Sequence, residues 1–447
     1  MRDRAKIPPP WFFSFWLYCF LIPQPTLAAA GDENWDTQFG APGANGPVFA
    51  ISVVGNDVYF GGAFSSIGGI NVSNIARWDG TQWHSVGAGL SGRVTALLAS
   101  GNILYVAGGF TDAGGVAATN IARWDGTNWS ALGMGINGTV SALAVLGDDL
   151  FVGGSLNSAG QLAVSNIAQW DGMNWSDVGG GLNGPVGVLL SIGSTLYVGG
   201  AFTKAGISTA TNIATWDRTN WLALGDGLSV SPSAIAGSSS SLFAYSMSSS
   251  YVDETRFMIS RWDGTSWQTS LAGEFAPPCF DCYARAGGMA INGNDIYIGG
   301  LFSRVIPSTP PGDATPANCV AKWDGTNWTG LGSGLFSISL GSVAVAATGS
   351  ELFLGGRFGG RFGTAGGTSS QNIALWHIPH ALSASCSGDI LTLSWPATGT
   401  NFVLEASNTL QPTSWSEIYD VPILIGDQLV VTNSISATTR YFRLRRQ

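Results

Sequence analysis

Asn120-Ile121-Ala122-Arg123-Trp124-Asp125-Gly126-Thr127-Asn128-Trp129 decides the fold, because this stretch returns with small changes along the chain. The first tryptophan of the pair falls at 78, 124, 170, 216, 262, 323 and 376, with spacings of 46, 46, 46, 46, 61 and 53 residues. The second falls at 83, 129, 175, 221, 267 and 328, and Trp376 has no such follower. Asp-Gly between the tryptophans is a hairpin signal, since glycine takes positive φ without a Cβ clash. Working outward, Gly87-Ala88-Gly89-Leu90 reads as a turn, Val94-Thr95-Ala96-Leu97-Leu98 as a strand, and Leu104-Tyr105-Val106 as the next strand. Apolar and β-branched runs bounded by Gly, Asn and Asp are strand signals, and nothing of helical period competes. Four strands in a unit of this length predict a propeller blade.

The units close on themselves. Trp35, in Asn34-Trp35-Asp36, precedes the first unit and can supply the outer strand that the last unit lacks. Closure of this kind removes unpaired sheet edges. The expected fold is all-β: a seven-bladed propeller over residues 31–378, ring-closed by an N-terminal strand, then a small β-sandwich over 379–447.

A Gly-Gly ending the second strand, an aromatic-Asp turn and a Trp on the fourth strand together resemble kelch repeats and the propeller of galactose oxidase. The double glycine stands at Gly61-Gly62, Gly108-Gly109, Gly153-Gly154, Gly199-Gly200, Gly299-Gly300 and Gly355-Gly356. The fifth unit departs, with Tyr245-Ser246 in that place. The match to WD40 repeats is weaker, because no Gly-His pair occurs; the sialidase Asp-box spacing also differs. A galactose-oxidase-like copper site would need two His, two Tyr and a Cys near the axis. The three histidines, His84, His377 and His380, do not converge there, so that site is not carried over. No cofactor or metal is expected, and no catalytic residue is singled out: hydrolase, zinc and nucleotide motifs are absent. Acid pairs such as Asp148-Asp149 read as solvated turns.

The chain has 447 residues, 63 Gly, 18 Trp and a net charge of −9. An acidic balance argues against a nucleic-acid partner. Arg2, Arg4 and Lys6, an apolar run from Trp11 to Ile22 and Ala28-Ala29-Ala30 read as a signal peptide over 1–30, cleaved near Ala30. The run is too short to span a bilayer, and no transmembrane anchor is expected. The expected product is a monomer that is secreted, periplasmic or at the cell surface. In that setting Cys279, Cys282 and Cys319 are disulfide candidates; the CxxC spacing of Cys279 and Cys282 also admits redox and zinc readings, which lack a supporting context.

The unit from Trp262 to Trp323 gains 15 residues over the usual 46, before its first strand and between its second and third. In a four-stranded meander both connections emerge on one face, and the last unit grows in the same two places. Phe280, Asp281, Tyr283, Arg285, Arg304, Arg357 and Arg361 are therefore candidates for a binding face. The expected function is a non-catalytic binder of an unknown protein or glycan through the loops of blades 5–7. A carbohydrate-active enzyme with an axial site and a surface-structural protein are the alternatives. The paired tryptophans read as packing rather than sugar stacking, because they recur at one place in every unit.

Beyond His380 the pattern changes to Ile390–Trp395, Phe402–Glu405, Leu429–Val431 and Tyr441–Leu444. This resembles a truncated fibronectin type III or immunoglobulin-like module, a kind of module that mediates attachment or spacing in exported proteins.

Overall fold

The structure is a computed structural model. It describes residues 31–446 except 38, 239–240, 249–255, 269–272, 277–284, 308–313, 337–342, 358–363, 366–367, 380–381, 388–389, 397–401, 409–414, 419–420, 426–427 and 435–439. The proposed signal peptide thus lies outside the described residues. Among the described residues no helix is long and apolar enough to cross a membrane.

The fold is all-β, built from repeated four-stranded antiparallel sheets. In unit 2 the strands are Arg93–Ser100, Ile103–Gly109, Ile121–Trp124 and Trp129–Ala131, hydrogen-bonded in chain order. Trp124 lies opposite Trp129 across the final hairpin. Units 1, 4 and 6 repeat this sheet, and unit 3 adds a short fifth strand, Leu162–Ala163. The sheet of unit 7 is three-stranded, ending in Ile373–His377, and there Trp35 forms an antiparallel bridge to Trp376. The first strand of each unit neighbours the first strand of the next. Ala344–Ala347 of the last unit neighbours Val48–Val54 of the first, so these strands form a closed cycle.

Between first and second tryptophans the chain turns on aspartate. Asp125 Oδ1 accepts the N–H groups of Thr127 at 2.8 Å and Asn128 at 2.7 Å. Asp79, Asp171, Asp217, Asp263 and Asp324 do the same. Gly126 follows at φ 96°. In unit 4 Arg218 takes that left-handed position at φ 80°, held by Asp149 at 2.8 Å and by the Leu146 carbonyl. The accepted hydrogen bonds favour the charged carboxylate and lower the aspartate pKa values, that of Asp324 to about 2.

Two kinds of contact recur between neighbouring units. The indole N–H of the second tryptophan donates to a carbonyl three residues past the preceding unit's second tryptophan: Trp129 to Val86 at 3.2 Å, Trp175 to Leu132 at 3.1 Å and Trp221 to Val178 at 2.9 Å. Trp35 donates to Leu331 in the same relation, at 3.1 Å. An asparagine before the third strand, held at positive φ, reaches the segment leading into the following unit: Asn74 to the Leu90 carbonyl at 3.0 Å, Asn166 to Leu182 at 2.9 Å. Asn372 reaches Ala44, 328 positions away, at 2.8 Å.

Unit 5 carries a larger, seven-stranded sheet. Gly273–Ala276 and Arg304–Pro307, one from each lengthened connection of the next unit, pair with each other, and Arg256 pairs with Glu274. The two insertions therefore do meet on one side, as the meander requires.

Residues 383–446 form a four-stranded and a three-stranded sheet. Leu393, Trp395, Leu404 and Val431 make their buried core. Arg443 pairs with Glu405 at 2.8 Å and stands 4.4 Å from the Trp415 ring centroid.

Trp35→Ala is expected to cost about 3–5 kcal/mol, the cost of a large core truncation, and to lower the urea midpoint as much as Trp129→Ala. A loss below about 1 kcal/mol would show that the N-terminal segment does not complete the last sheet. Folded-state pKa values below the unfolded value give stability that is present above about pH 4 and lost as pH falls toward 2. Unfolding midpoints across that window are expected to fall, and less steeply in Asp324→Asn.

Candidate functional site

Of the residues singled out for a binding face, three fall within the described residues. Phe280, Asp281, Tyr283 and Arg361, with Cys279 and Cys282, lie outside the described residues. Arg285 begins the strand Arg285–Asn292 opposite Leu301, Arg304 is exposed on Arg304–Pro307, and Arg357 is exposed just after the strand ending at Gly355. The disulfide expected at Cys319 is not formed: its thiol is free and buried at 4% exposure. The reason is local. Cys319 occupies the positive-φ position that asparagine takes in its neighbours, at φ 61°, and its N–H donates to the Phe302 carbonyl at 2.8 Å. Its side chain therefore packs into the unit 6–7 core with Val320 and Leu331. Burial pushes the thiol pKa up to about 11. His84 pairs with Asp79 at 2.6 Å, and His377 lies 3.3 Å from Asp36 and 3.8 Å from Glu351. Both histidines are thus engaged in the hairpin at the end of their unit, away from any common centre. Among the described residues no group of three or more metal-ligating side chains occurs.

A cavity of about 290 Å³ does occur, in unit 5. It is lined by the segment Gly225 to Val230, by Ser246 and Ser260, and by Thr265, Ser266 and Trp267. Its origin is legible in the register. Leu242 pairs with Trp262 as Val58 pairs with Trp78, which aligns Ser246 with Gly62, Gly108, Gly154, Gly200, Gly300 and Gly356. At Gly62, Gly108, Gly154 and Gly200 the chain leading into the first strand passes very close. A Cβ at Gly62 would stand 2.1 Å from the Pro47 carbonyl oxygen, and at Gly108 2.0 Å from that of Arg93. Ser246 has a Cβ, so the leading segment in unit 5 must stand off. Its hydroxyl donates to the Val230 carbonyl at 3.3 Å, and the space behind is the cavity.

A second departure adds to the first. Ser260, two residues before the first tryptophan, takes the place of Ala76, Ala122, Ala168, Ala214, Ala321 and Ala374, all of them buried. Ser246 and Ser260 are themselves only 2% and 4% exposed. Tyr245, beside Ser246, takes a place held by glycine or alanine in the other units. It fills the core shared with unit 6, against Ile298, Phe302 and Met289. The Tyr245-Ser246 departure is visible in the sequence; Ser260 is visible only once the alanine column is aligned, and the cavity only in the packing.

No family model and no curated protein matches this chain. Among solved structures it is similar to a puromycin-hydrolyzing peptidase of Mycobacterium tuberculosis, at 11% identity and TM-score 0.44, covering 87% of this chain and 63% of that one. It is similar to the β-propeller domain of the Trilobed protease from Pyrococcus furiosus, at 9% identity and TM-score 0.41, covering 74% of this chain and 95% of that one. It is also similar to an acylaminoacyl peptidase of Pyrococcus horikoshii, at 9% identity and TM-score 0.38, covering 81% of this chain and 59% of that one. The chain thus spans less than two thirds of either whole peptidase. On these neighbours the expectation of a non-catalytic binder of protein or glycan working through blades 5–7 is corrected. Two of the structures that this chain resembles are whole peptidases, so the fold does not identify a non-catalytic binder. The repeated four-stranded antiparallel sheets make the chain an all-β protein, and the solved structures similar to it include a β-propeller domain.

Thiolates, not thiols, react, so maleimide at neutral pH is expected to label the exposed Cys386 in the folded protein and to spare Cys319 until unfolding. Mass spectrometry of labelled peptides reads the difference, and equal labelling of both would contradict the burial of Cys319.

Proposed function

We propose that this chain is an exported kelch-type propeller of seven blades, residues 31–378, that binds a small polar molecule in the cavity of its fifth blade. Residues 379–447 form a fibronectin type III-like or immunoglobulin-like module, and residues 1–30 a signal peptide. The observation that carries the ligand reading is the pair Ser246 and Ser260: two buried hydroxyls on the wall of a cavity, at positions where the other units have only glycine and alanine. Sites for small molecules combine apolar walls with a few placed polar groups, and the Ser246 hydroxyl, which donates to the Val230 carbonyl, keeps its lone pairs as acceptors. Trp267 and Leu228 supply apolar wall, while Asp226, Ser229 and Thr265 supply polar rim.

The seven-blade reading is supported by the cycle of neighbouring first strands and by Trp35, which makes in unit 7 the bridge and the indole hydrogen bond that second tryptophans make elsewhere. The C-terminal reading rests on two sheets that share one apolar core. The signal-peptide reading rests on the basic start, the apolar run and the small residues before position 31.

Ser260→Leu projects an isobutyl group into the cavity. Ligand-observed NMR with a mixture of small phenols, sugars and amino acids is expected to find binders of the wild-type protein that Ser260→Leu no longer holds, with its circular dichroism unchanged. Fragments that bind the folded variant equally well, or no binder at all, would overturn the reading.

A further inference from the structure

We infer that the cavity of the fifth unit is a seat for a phenolic ring, an inference that rests on reading the cavity as a ligand site. In the units whose second strand carries the glycine, the residue two places after it is Phe64, Phe110, Leu156, Phe202, Phe302 or Phe358. Where described, these side chains are buried; Phe110 packs in one cluster with Leu90, Ala118 and Trp129, and Phe202 in one with Leu182, Ala210 and Trp221. In units 2 and 4 the ring is thus clustered with a leucine of the leading segment and the unit's second tryptophan. In unit 5 the sequence has Ser248 in this column, and the equivalents of the two walls, Leu228 and Trp267, line the cavity instead.

The hairpin that follows tells the same way. A Cβ at Gly68 would stand 1.9 Å from Trp83, and at Gly114 2.3 Å from Trp129, so only glycine brings this hairpin down onto the tryptophan. The corresponding stretch of unit 5, 249–255, contains no glycine. Unit 5 therefore keeps two walls of a phenylalanine site while its sequence has serine in the phenylalanine column.

What has been added is hydroxyl. Ser260 stands in the alanine column and Ser246 in the glycine column, both buried, so a ring entering here meets hydrogen-bonding groups that Phe110 does not meet in unit 2. A six-membered aromatic ring matches the walls, and a hydroxyl on it matches the two serines. A site built to hydrogen-bond a ligand hydroxyl discriminates against the analogue that lacks it, because its own buried polar groups are then left without that bond. The ring can arrive as a free phenol or as a tyrosine side chain of a peptide.

The test is fluorine NMR of the full chain with four probes: 4-fluorophenol, N-acetyl-3-fluorotyrosine amide, fluorobenzene and 2-deoxy-2-fluoroglucose. Saturable broadening of 4-fluorophenol is expected, with fluorobenzene about tenfold weaker, the worth of one buried hydrogen bond. Binding of the tyrosine amide as well would identify a peptide-borne ring, and its exclusion a free phenol. The triple variant Ser246→Gly, Ser248→Phe, Ser260→Ala restores the pattern of the other units. It is expected to fold at least as stably as the wild type and to lose the phenol. Phenol binding that survives in the folded triple variant would overturn the site. Fluoroglucose binding that the triple variant loses, with no phenol binding, would overturn the phenolic class and leave the ligand reading standing. If none of the four probes binds and no other fragment does, both fall.

Discussion

A tryptophan indole held by a backbone carbonyl of the neighbouring unit is the interaction on which this molecule depends. Three residues after Trp83, Trp129, Trp175, Trp221 and Trp328 the chain presents a backbone oxygen, and the next unit's tryptophan donates its indole N–H to it, as Trp129 does to Val86 and Trp221 to Val178. An indole buried between sheets needs a partner for its N–H, so the hydrogen bond fixes where each sheet sits on its neighbour. The asparagine clamp adds a second point of attachment a short distance away, from Asn120 to Ile136 and from Asn212 to Leu228. Where both contacts are present, between units 1 and 2, 2 and 3, 3 and 4, and 4 and 5, two fixed points define one repeated angle. Trp35 carries the indole contact from unit 7 back to unit 6, and Asn372 carries the asparagine contact from unit 7 to unit 1.

Regularity of this kind makes a departure informative. In units 1 to 4 the glycine that ends the second strand is required because a carbonyl of the leading segment passes where a Cβ would be, and units 6 and 7 carry glycine in the same column. In the fifth, Ser246 breaks the rule and the leading segment gives way. The same unit exchanges a buried alanine for Ser260 and sends Tyr245 across into the core of unit 6. The gain in volume on one side of the interface and the cavity on the other are two consequences of one altered dipeptide.

The neighbouring unit shows a milder exchange. Cys319 keeps the left-handed backbone of the asparagine position, and its backbone bonds to Phe302 and Gly300 are intact. Its side chain has no amide to offer the next unit, and Asn318 beside it donates instead to the Ser333 carbonyl at 2.8 Å. Spacing alone presents this residue as a cysteine bordering a loop and near a CxxC pair. Its backbone conformation makes it a core residue, which is why the disulfide expectation fails at this position.

Much of the fold was legible in the chain itself. The tryptophan spacing, the Asp-Gly turns and the lone Trp35 specify repeated antiparallel sheets and the meeting of the chain ends, because each depends on local hydrogen bonding and on side-chain alternation with period two. The candidate site was legible only in part: Tyr245-Ser246 stands out against the double glycines, but Ser260 acquires meaning only when the strand register aligns it with six alanines. Which connections meet and which cysteine is buried was likewise left to the tertiary structure. So was the fate of the volume released in the fifth unit, which becomes open space rather than being refilled. Those outcomes depend on how closely two segments distant in sequence approach each other, a distance set by packing between sheets and written in no single stretch of residues.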